Sequence, residues 1–288
     1  MLNTKKCLIC KRPNDTIHYH RDLETGDIWL WCSGRCQRGY SLYQYCHMAG
    51  LSLRQFLKSE FDFQESAPNT VNRMEWPANY LPLSDPRSKL GLEYIKSRGL
   101  DARGDMYYES DRNAIVFPYY FQSVYVGAQI RFIEPEGDHK MESVPGTRIG
   151  LLFYGWNQEL FVTKISGVIV TEGAFNALSI QQSLDELYGG VARNPWKCIA
   201  ASGAGATQHQ RDKIKELKDQ GLKIVIAPDY DDAGLKMFRK FLQHGAMTHY
   251  AFTMSKKADW NDFLVKLGKK ETAKFFLQSI RDIGNYRI

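Results

Sequence analysis

Paired cysteines near the start of the chain have the spacing of metal ligands. Five of the six cysteines lie within the first 46 residues, and two pairs stand at residues 7–10 (CLIC) and 32–36 (CSGRC). Two tight turns that each present two thiolates can surround a zinc ion tetrahedrally. Such clustering favours a metal over disulfide bonds. We expect the zinc ligands Cys7, Cys10, Cys32 and Cys36, with His18, His20, Cys46 and His47 as rival ligands.

The segment between these pairs predicts a small ribbon. Residues 16–31 alternate aromatic and apolar side chains, and residues 22–27 (DLETGD) have the composition of a hairpin turn. Cations and flat rings are interleaved here, as contact with an unpaired nucleic-acid strand requires. The alternatives are a purely structural module and a solvated charged surface. The residues concerned are Lys11, Arg12, Arg21, Arg35, Arg38, Tyr19, Trp29, Trp31 and Tyr40.

Acidic side chains follow the predicted strands of the second half. Glu172 follows the apolar run 167–171, and the sequence DYDDAG at 229–234 follows the run 222–227. In an open parallel sheet the carboxyl ends of the strands face one crevice, so acids from different strands can converge there. Clustered carboxylates are typical ligands of magnesium. A solvated acidic turn is the alternative interpretation.

Strands and helices alternate regularly around these acids. Such alternation predicts a parallel sheet covered by helices on both faces. Residues 80–154 have short strand patterns instead and predict a mixed α+β subdomain. The fold class we expect is α/β, with the mixed subdomain and a small N-terminal zinc ribbon preceding the parallel sheet. The predicted strands are 167–171, 196–201, 222–227 and 249–252, and the predicted helices are 174–184, 208–220 and 233–244.

Two acidic motifs resemble the signatures of the Toprim fold, which bacterial-type primases, topoisomerases and some nucleases share. They are EGAFNAL at 172–178 and DYDDAG at 229–234; residues 200–206 and 257–262 are similar to the connecting and following segments. The resemblance implies magnesium or manganese bound by Glu172, Asp229 and Asp231, which would also be the catalytic residues. Asp259 and Asp262 are the secondary magnesium ligands.

One residue departs from the primase pattern. Primases commonly carry a second acid four residues after the motif glutamate, and this chain has Asn176 there. An amide can accept a hydrogen bond from a metal-bound water but brings no charge. A metal bound at this position should therefore be held more weakly or placed differently.

The region before these motifs separates the possible Toprim enzymes. Its motifs resemble the polymerase core of DnaG-type primases of bacteria and bacteriophages, and they stand at residues 90–100, 112–118, 126–131, 140–146 and 152–155. The resemblance implies synthesis of RNA primers on single-stranded DNA from ribonucleoside triphosphates. A polymerase needs cations to hold the triphosphate and the template. We select Arg112, Arg131, Lys140 and Arg148.

Two other functions stay open from the sequence. A Toprim nuclease or topoisomerase-like enzyme would use the same acids to cut phosphodiesters. A zinc-containing adaptor that binds single-stranded DNA without catalysis would have kept only a degenerate core.

Domain boundaries follow from composition and motif positions. We predict a zinc-binding domain at 1–50, a linker at 51–81, an N-terminal subdomain of the core at 82–160, a Toprim subdomain at 161–265 and a C-terminal helical segment at 266–288. No helicase loop of the GxxxxGK[ST] type follows, so the chain resembles a stand-alone primase that works with a replicative helicase on a separate chain.

Charge and hydropathy set few limits. The formal net charge of +6 is a mild excess that suits a polyanionic partner without requiring one. The chain has no run of eighteen apolar residues, so we expect no membrane partner. No apolar signal core follows the N-terminus. We therefore expect a cytoplasmic protein, in the host cytoplasm if a bacteriophage encodes it.

Overall fold

The chain forms two compact units, residues 1–70 and residues 71–288. A computed structural model describes residues 4–6, 16–21, 28–32, 38–41, 48, 71–121, 124–135, 137, 139–156, 165–203, 206–253 and 258–285.

The first unit contains a four-stranded antiparallel sheet in the order β1-β2-β3-β4. Arg21 pairs with Ile28 across the predicted hairpin, whose turn residues lie outside the described part. Leu30 and Cys32, two residues apart on β3, are both buried, as alternation along a strand requires. Cys7, Cys10 and Cys36, and the rival ligands Cys46 and His47, lie outside the described residues. The strands are Thr4–Lys6, Thr16–Arg21, Ile28–Cys32 and Arg38–Ser41.

The second unit begins with a five-stranded antiparallel sheet in the order β5-β6-β7-β8-β9. Helix α1 (Lys89–Ser97) lies between β5 and β6 in the chain. Ile115, Phe117 and Tyr119 alternate along β7 and contribute to the main hydrophobic core. The strands are Tyr80–Pro82, Tyr107–Glu109, Ala114–Phe121, Val124–Phe132 and Met141–Ser143.

Residues 71–81, which we predicted as the end of the linker, belong to the second unit: residues 80 and 81 are in β5, and the segment before them packs against this sheet. The Met74 N–H donates a hydrogen bond to the Tyr125 carbonyl (3.0 Å). The ring of Trp76 meets the Tyr107 ring edge to face, with centroids 4.6 Å apart. Met74 packs against the cluster of Tyr80, Val116, Tyr125 and Ala128, whereas Trp76 contacts its neighbours edge to face and remains 39% exposed.

A second sheet, in the order β11-β10-β12-β13-β14, forms the centre of the second unit. Its first four strands are parallel, and β14 pairs antiparallel with β13. This parallel pairing confirms the predicted α/β sheet. Its central strands are buried on both faces, which is why runs such as 167–171 are apolar and rich in β-branched residues. The strands are Gly167–Thr171, Trp196–Ala200, Lys223–Ala227, His249–Tyr250 and Arg281–Asp282.

Helices cover both faces of the parallel sheet. On one face Ile169 and Val225 join a core that includes Trp260 of α5 and Phe276 of α6. On the other face Val168 and Val170 pack in a core with residues of α3 and α4. The helices are α2 (Ala174–Leu187), α3 (Gln208–Asp219), α4 (Asp232–Gln243), α5 (Trp260–Leu267) and α6 (Lys269–Ser279).

Among the described residues, no helix has the length and apolar character needed to cross a membrane.

The buried amide of Gln210 ties the end of the antiparallel subdomain to the parallel sheet. Its Nε2 donates to the carbonyls of Leu152 (2.6 Å) and Ala201 (2.9 Å), and its Oε1 accepts from the Thr207 N–H (2.9 Å). Only 1% of Gln210 is exposed, so these bonds are shielded from water. Buried carbonyls that lose such a partner are costly.

We expect Gln210→Leu to lower the free energy of unfolding by about 2–4 kcal/mol, because two buried carbonyls lose their donor without a large change in volume. Gln208→Leu on the exposed side of the same helix should change it by less than about 0.5 kcal/mol. Denaturant titration of both variants measures the difference. Equal effects would show that the amide does not join the two sheets.

Candidate active site

Glu172 and Asp229 are brought together by neighbouring parallel strands. Strands β10 and β12 are bonded in register, with Thr171 opposite Ala227 at their carboxyl ends. Glu172 follows the first of these residues directly, and Asp229 follows the second after one proline. The acids therefore meet at the edge of the sheet where ligands bind in such folds, as the sequence predicts.

The charges of these acids repel one another. Burial first, and then the charge of Asp231, raises the pKa of Glu172 from 4.5 to about 7. Burial, followed by the charges of Glu172, Asp259 and Asp231, raises the pKa of Asp229 from 3.8 to about 7. Burial also raises the pKa of Asp259. Three half-buried carboxylates, those of Glu172, Asp229 and Asp259, therefore lie near one another and near the charge of the exposed Asp231.

Asp231 starts helix α4. Its carboxylate accepts a hydrogen bond from the Gly234 N–H (2.8 Å), which caps the helix. A Cβ on Gly234 would lie 2.0 Å from the Asp229 carbonyl oxygen, so only glycine allows this turn. The DYDDAG motif is therefore a compact turn in which one oxygen of Asp231 is already engaged.

Asp259 and Asp262 form a capping box at the start of α5. The Asp259 carboxylate accepts from the Asp262 N–H (2.8 Å), and the Asp262 carboxylate accepts from the Asp259 N–H (3.0 Å). Asp262 is thereby turned toward its own helix. Its role as a magnesium ligand stays a prediction.

The chemistry of these side chains fits a divalent cation, although their geometry does not form a closed metal shell. Among the described residues, no three His, Cys, Asp or Glu side chains converge closely enough to hold a metal ion. The Oε2 atom of Glu172 is nevertheless buried without a hydrogen-bond partner among those residues. A hard cation would satisfy this oxygen and offset the repulsion between the acids.

The four predicted cations lie in different surroundings. Arg112 is paired with Glu109 (2.8 Å) and also contacts Glu142, so two carboxylates already offset its charge. Arg131 of β8 lies opposite Ile115 of β7, on the face of the antiparallel sheet that packs toward the parallel sheet. Its Nε is buried without a partner among the described residues. Lys140 and Arg148 are exposed.

Arg98 is a cation near the acids that the sequence did not indicate. Its guanidinium lies over the ring of Phe175, a residue of the first turn of α2, 5.0 Å from the ring centroid. Its charge opposes the rise in the pKa of Asp259. In the sequence, Arg98 is one of several charges at the end of a helix, so nothing distinguishes it from a surface residue.

Asn176 contacts Asp229 directly. Its Nδ2 donates to the Asp229 Oδ1 at 2.6 Å, and its Oδ1 accepts from the Asn261 N–H at 3.2 Å. The amide of Asn176 therefore donates a hydrogen bond to a carboxylate, whereas the sequence suggested that it would accept one from a metal-bound water.

The raised pKa values predict how stability depends on pH without magnesium. Glu172 and Asp229 bind protons more tightly in the folded protein than in the unfolded chain. Their contribution to the free energy of unfolding is therefore highest below about pH 4, where both states are protonated, and it falls as the pH rises toward 7. Glu172→Gln should therefore stabilise the magnesium-free protein at pH 8, by on the order of 1–3 kcal/mol, with little effect at pH 4. Thermal unfolding at the two pH values measures this.

Saturating magnesium should stabilise the unaltered protein more than Glu172→Gln. Glu186→Gln, on the exposed side of α2, is the matched control. Its stability should match that of the unaltered protein at both pH values and with magnesium. A Glu172→Gln variant that is destabilised equally at both pH values would contradict the assignment.

Comparisons with known proteins agree with this fold. Residues 169–264 match a family model described as Toprim-like. The DnaG catalytic core superimposes with a TM-score of 0.51 at 16% identity, covering 70% of this chain and 76% of that chain. The structure of the zinc-binding and RNA polymerase domains of the Aquifex aeolicus primase also superimposes with a TM-score of 0.51. The identity is 17%, and the match covers 98% of this chain and 81% of that chain. No curated protein matches. The chain therefore contains a Toprim-like domain and has the fold of the DnaG primase catalytic core.

Proposed function

We propose that this chain is a DNA primase, a nucleotidyltransferase that makes short RNA primers on single-stranded DNA. The observation that carries the proposal is the gathering of Glu172, Asp229 and Asp231 just beyond the carboxyl ends of β10 and β12, near Asp259 at the start of α5, within the fold of the DnaG catalytic core. Acids at this edge suit phosphoryl transfer, in which charge must be neutralised while no side chain acts as nucleophile.

The reaction joins two ribonucleotides opposite the template. The 3′-hydroxyl oxygen of one nucleotide bonds to the α-phosphorus of the next triphosphate. The bond between that phosphorus and the oxygen bridging to the β-phosphate breaks, so pyrophosphate leaves, and the hydroxyl proton passes to solvent. When bound, magnesium or manganese lowers the pKa of the hydroxyl and neutralises charge on the leaving pyrophosphate. Glu172, Asp229 and Asp231 would hold it, with Asp259 and Asp262 as further ligands.

Cations must face these acids to hold the triphosphate and the template. Arg131 is the best supported of the predicted cations, because its buried Nε has no partner among the described residues. Arg98, held on the Phe175 ring, can serve the same purpose. Lys140 and Arg148 are exposed and accessible to a template backbone. Arg112 would have to exchange a carboxylate for a phosphate.

A zinc-binding module that contacts the template completes the proposal. Cys32 is buried on β3, and the other three proposed ligands lie outside the described residues. A segment of this size gains much of its stability from the metal. A replicative helicase on a separate chain would supply unwound DNA in the cytoplasm.

Short RNA should appear when the protein is incubated with single-stranded DNA, ribonucleoside triphosphates and magnesium. Asp229→Asn should lower the rate of synthesis by about 10²–10³, because a charge that holds the cation is removed. Asp219→Asn, exposed at the end of α3, is the matched control and should keep the full rate. Gel analysis of labelled products measures both.

The same assay separates the other functions. Cleavage of the DNA without synthesis would indicate a Toprim nuclease or topoisomerase-like enzyme. Binding without any reaction would indicate an adaptor for single-stranded DNA. Either result would contradict the primase proposal.

The zinc proposal has its own test. The purified protein should contain about one zinc ion per chain, and Cys32→Ser should lose most of it because a thiolate ligand is removed. Cys198→Ser alters a buried thiol on β11 of the second unit and should keep the zinc. Elemental analysis measures both variants. Full zinc content in Cys32→Ser would show that one of the rival residues is the ligand.

A further inference from the structure

Asn176 lies between an acid of the candidate site and the backbone of another helix. It is on the first turn of α2 and is 4% exposed. Its Nδ2 is 2.6 Å from the Asp229 Oδ1, and its Oδ1 is 3.2 Å from the Asn261 backbone nitrogen on α5. The side chain therefore bridges a carboxylate and a main-chain donor.

These two contacts determine which way the amide points. A backbone N–H can only donate, so the atom of Asn176 that faces Asn261 must be the carbonyl oxygen. The NH₂ group then faces Asp229, where it donates a hydrogen bond to a charged acceptor. The reverse orientation would put two donors together on one side and two acceptors on the other.

Asn261 is itself anchored on two sides. It is fully buried, and its Nδ2 donates to the Arg98 carbonyl (2.8 Å) and to the Ser179 Oγ (2.9 Å). Arg98 ends α1 of the antiparallel subdomain, whereas Ser179 belongs to α2 beside the parallel sheet. The backbone donor that orients Asn176 is therefore fixed by contacts from both parts of the second unit.

We propose that Asn176 and Asn261 are positioning residues that hold the Asp229 carboxylate in one orientation. Together with Asp229 they form an asparagine relay, defined as Asn261–Asn176–Asp229. The relay engages Oδ1 of Asp229 and leaves Oδ2 to face a cation. The inference rests on the proposed function only in taking Asp229 as a ligand of magnesium or manganese. Asn176 then acts through Asp229 and is not itself a ligand.

Manganese binding tests the relay without depending on activity. In the zinc-loaded full chain, Asn176→Ala should bind Mn²⁺ about tenfold more weakly, as measured by electron paramagnetic resonance of free Mn²⁺, because Asp229 loses the donor that orients it. Ser183→Ala is the matched control: its hydroxyl is buried on the same helix without a partner among the described residues. It should leave the affinity unchanged.

Two further variants exclude general damage to the fold. Asn261→Ala should also weaken Mn²⁺ binding, by less than Asn176→Ala, and the double variant should be no weaker than Asn176→Ala alone because both act through one hydrogen bond. Asn176→Asp keeps the size and adds a charge but cannot donate to an ionised Asp229. It should not bind Mn²⁺ more tightly than the unaltered protein.

The outcomes separate the relay from the proposed function. Unchanged Mn²⁺ affinity in Asn176→Ala, additive losses in the double variant, or tighter binding by Asn176→Asp would each overturn the relay while leaving primer synthesis possible. Absence of Mn²⁺ binding by the unaltered protein would overturn both. Under the proposed function, a high Mn²⁺ concentration should restore primer synthesis by Asn176→Ala, whereas a general folding defect would not respond to the metal.

Discussion

Glu172 and Asp229 follow the ends of two strands that are bonded in register, so their charges cannot move apart without disturbing the sheet. Burial prevents water from screening them, and the pKa of each rises to about 7. Burial of these charges, and after it their repulsion, is a cost that the folded chain carries without a cation. The close turn at Gly234 and the Oε2 of Glu172, which has no partner among the described residues, are features on which we base the proposed divalent-cation site.

The rest of the second unit keeps these acids in place. Phe117 of the antiparallel sheet meets Phe175 of α2 with ring centroids 5.2 Å apart, and Gln210 joins the same two subdomains through buried carbonyls. Asn261 adds a contact between Arg98 and α2 directly beside the acids. The acidic edge therefore depends on the packing of the antiparallel subdomain, which also carries Arg98 and Arg131, the cations that we propose for phosphate binding.

Local patterns were sufficient to predict the parallel sheet and its acidic edge. Runs such as 167–171 and 224–227 are apolar and rich in β-branched residues, and an acid follows each, directly or after one proline, at the carboxyl end of its strand. Contacts between distant residues could not be predicted in the same way. The pairing of Arg112 with Glu142 and the hydrogen bond from Asn176 to Asp229 depend on how the elements pack. Neither has a signal in local composition.

The most direct test is anomalous diffraction from crystals soaked in Mn²⁺ together with a ribonucleoside triphosphate. The account predicts a manganese peak within coordination distance of Glu172 and Asp229, with the triphosphate extending toward Arg98 and Arg131. Asn176 should keep its hydrogen bond to Asp229 and should not contact the metal. A triphosphate bound elsewhere, with no manganese at these carboxylates, would contradict the claim that this acidic edge is the catalytic centre.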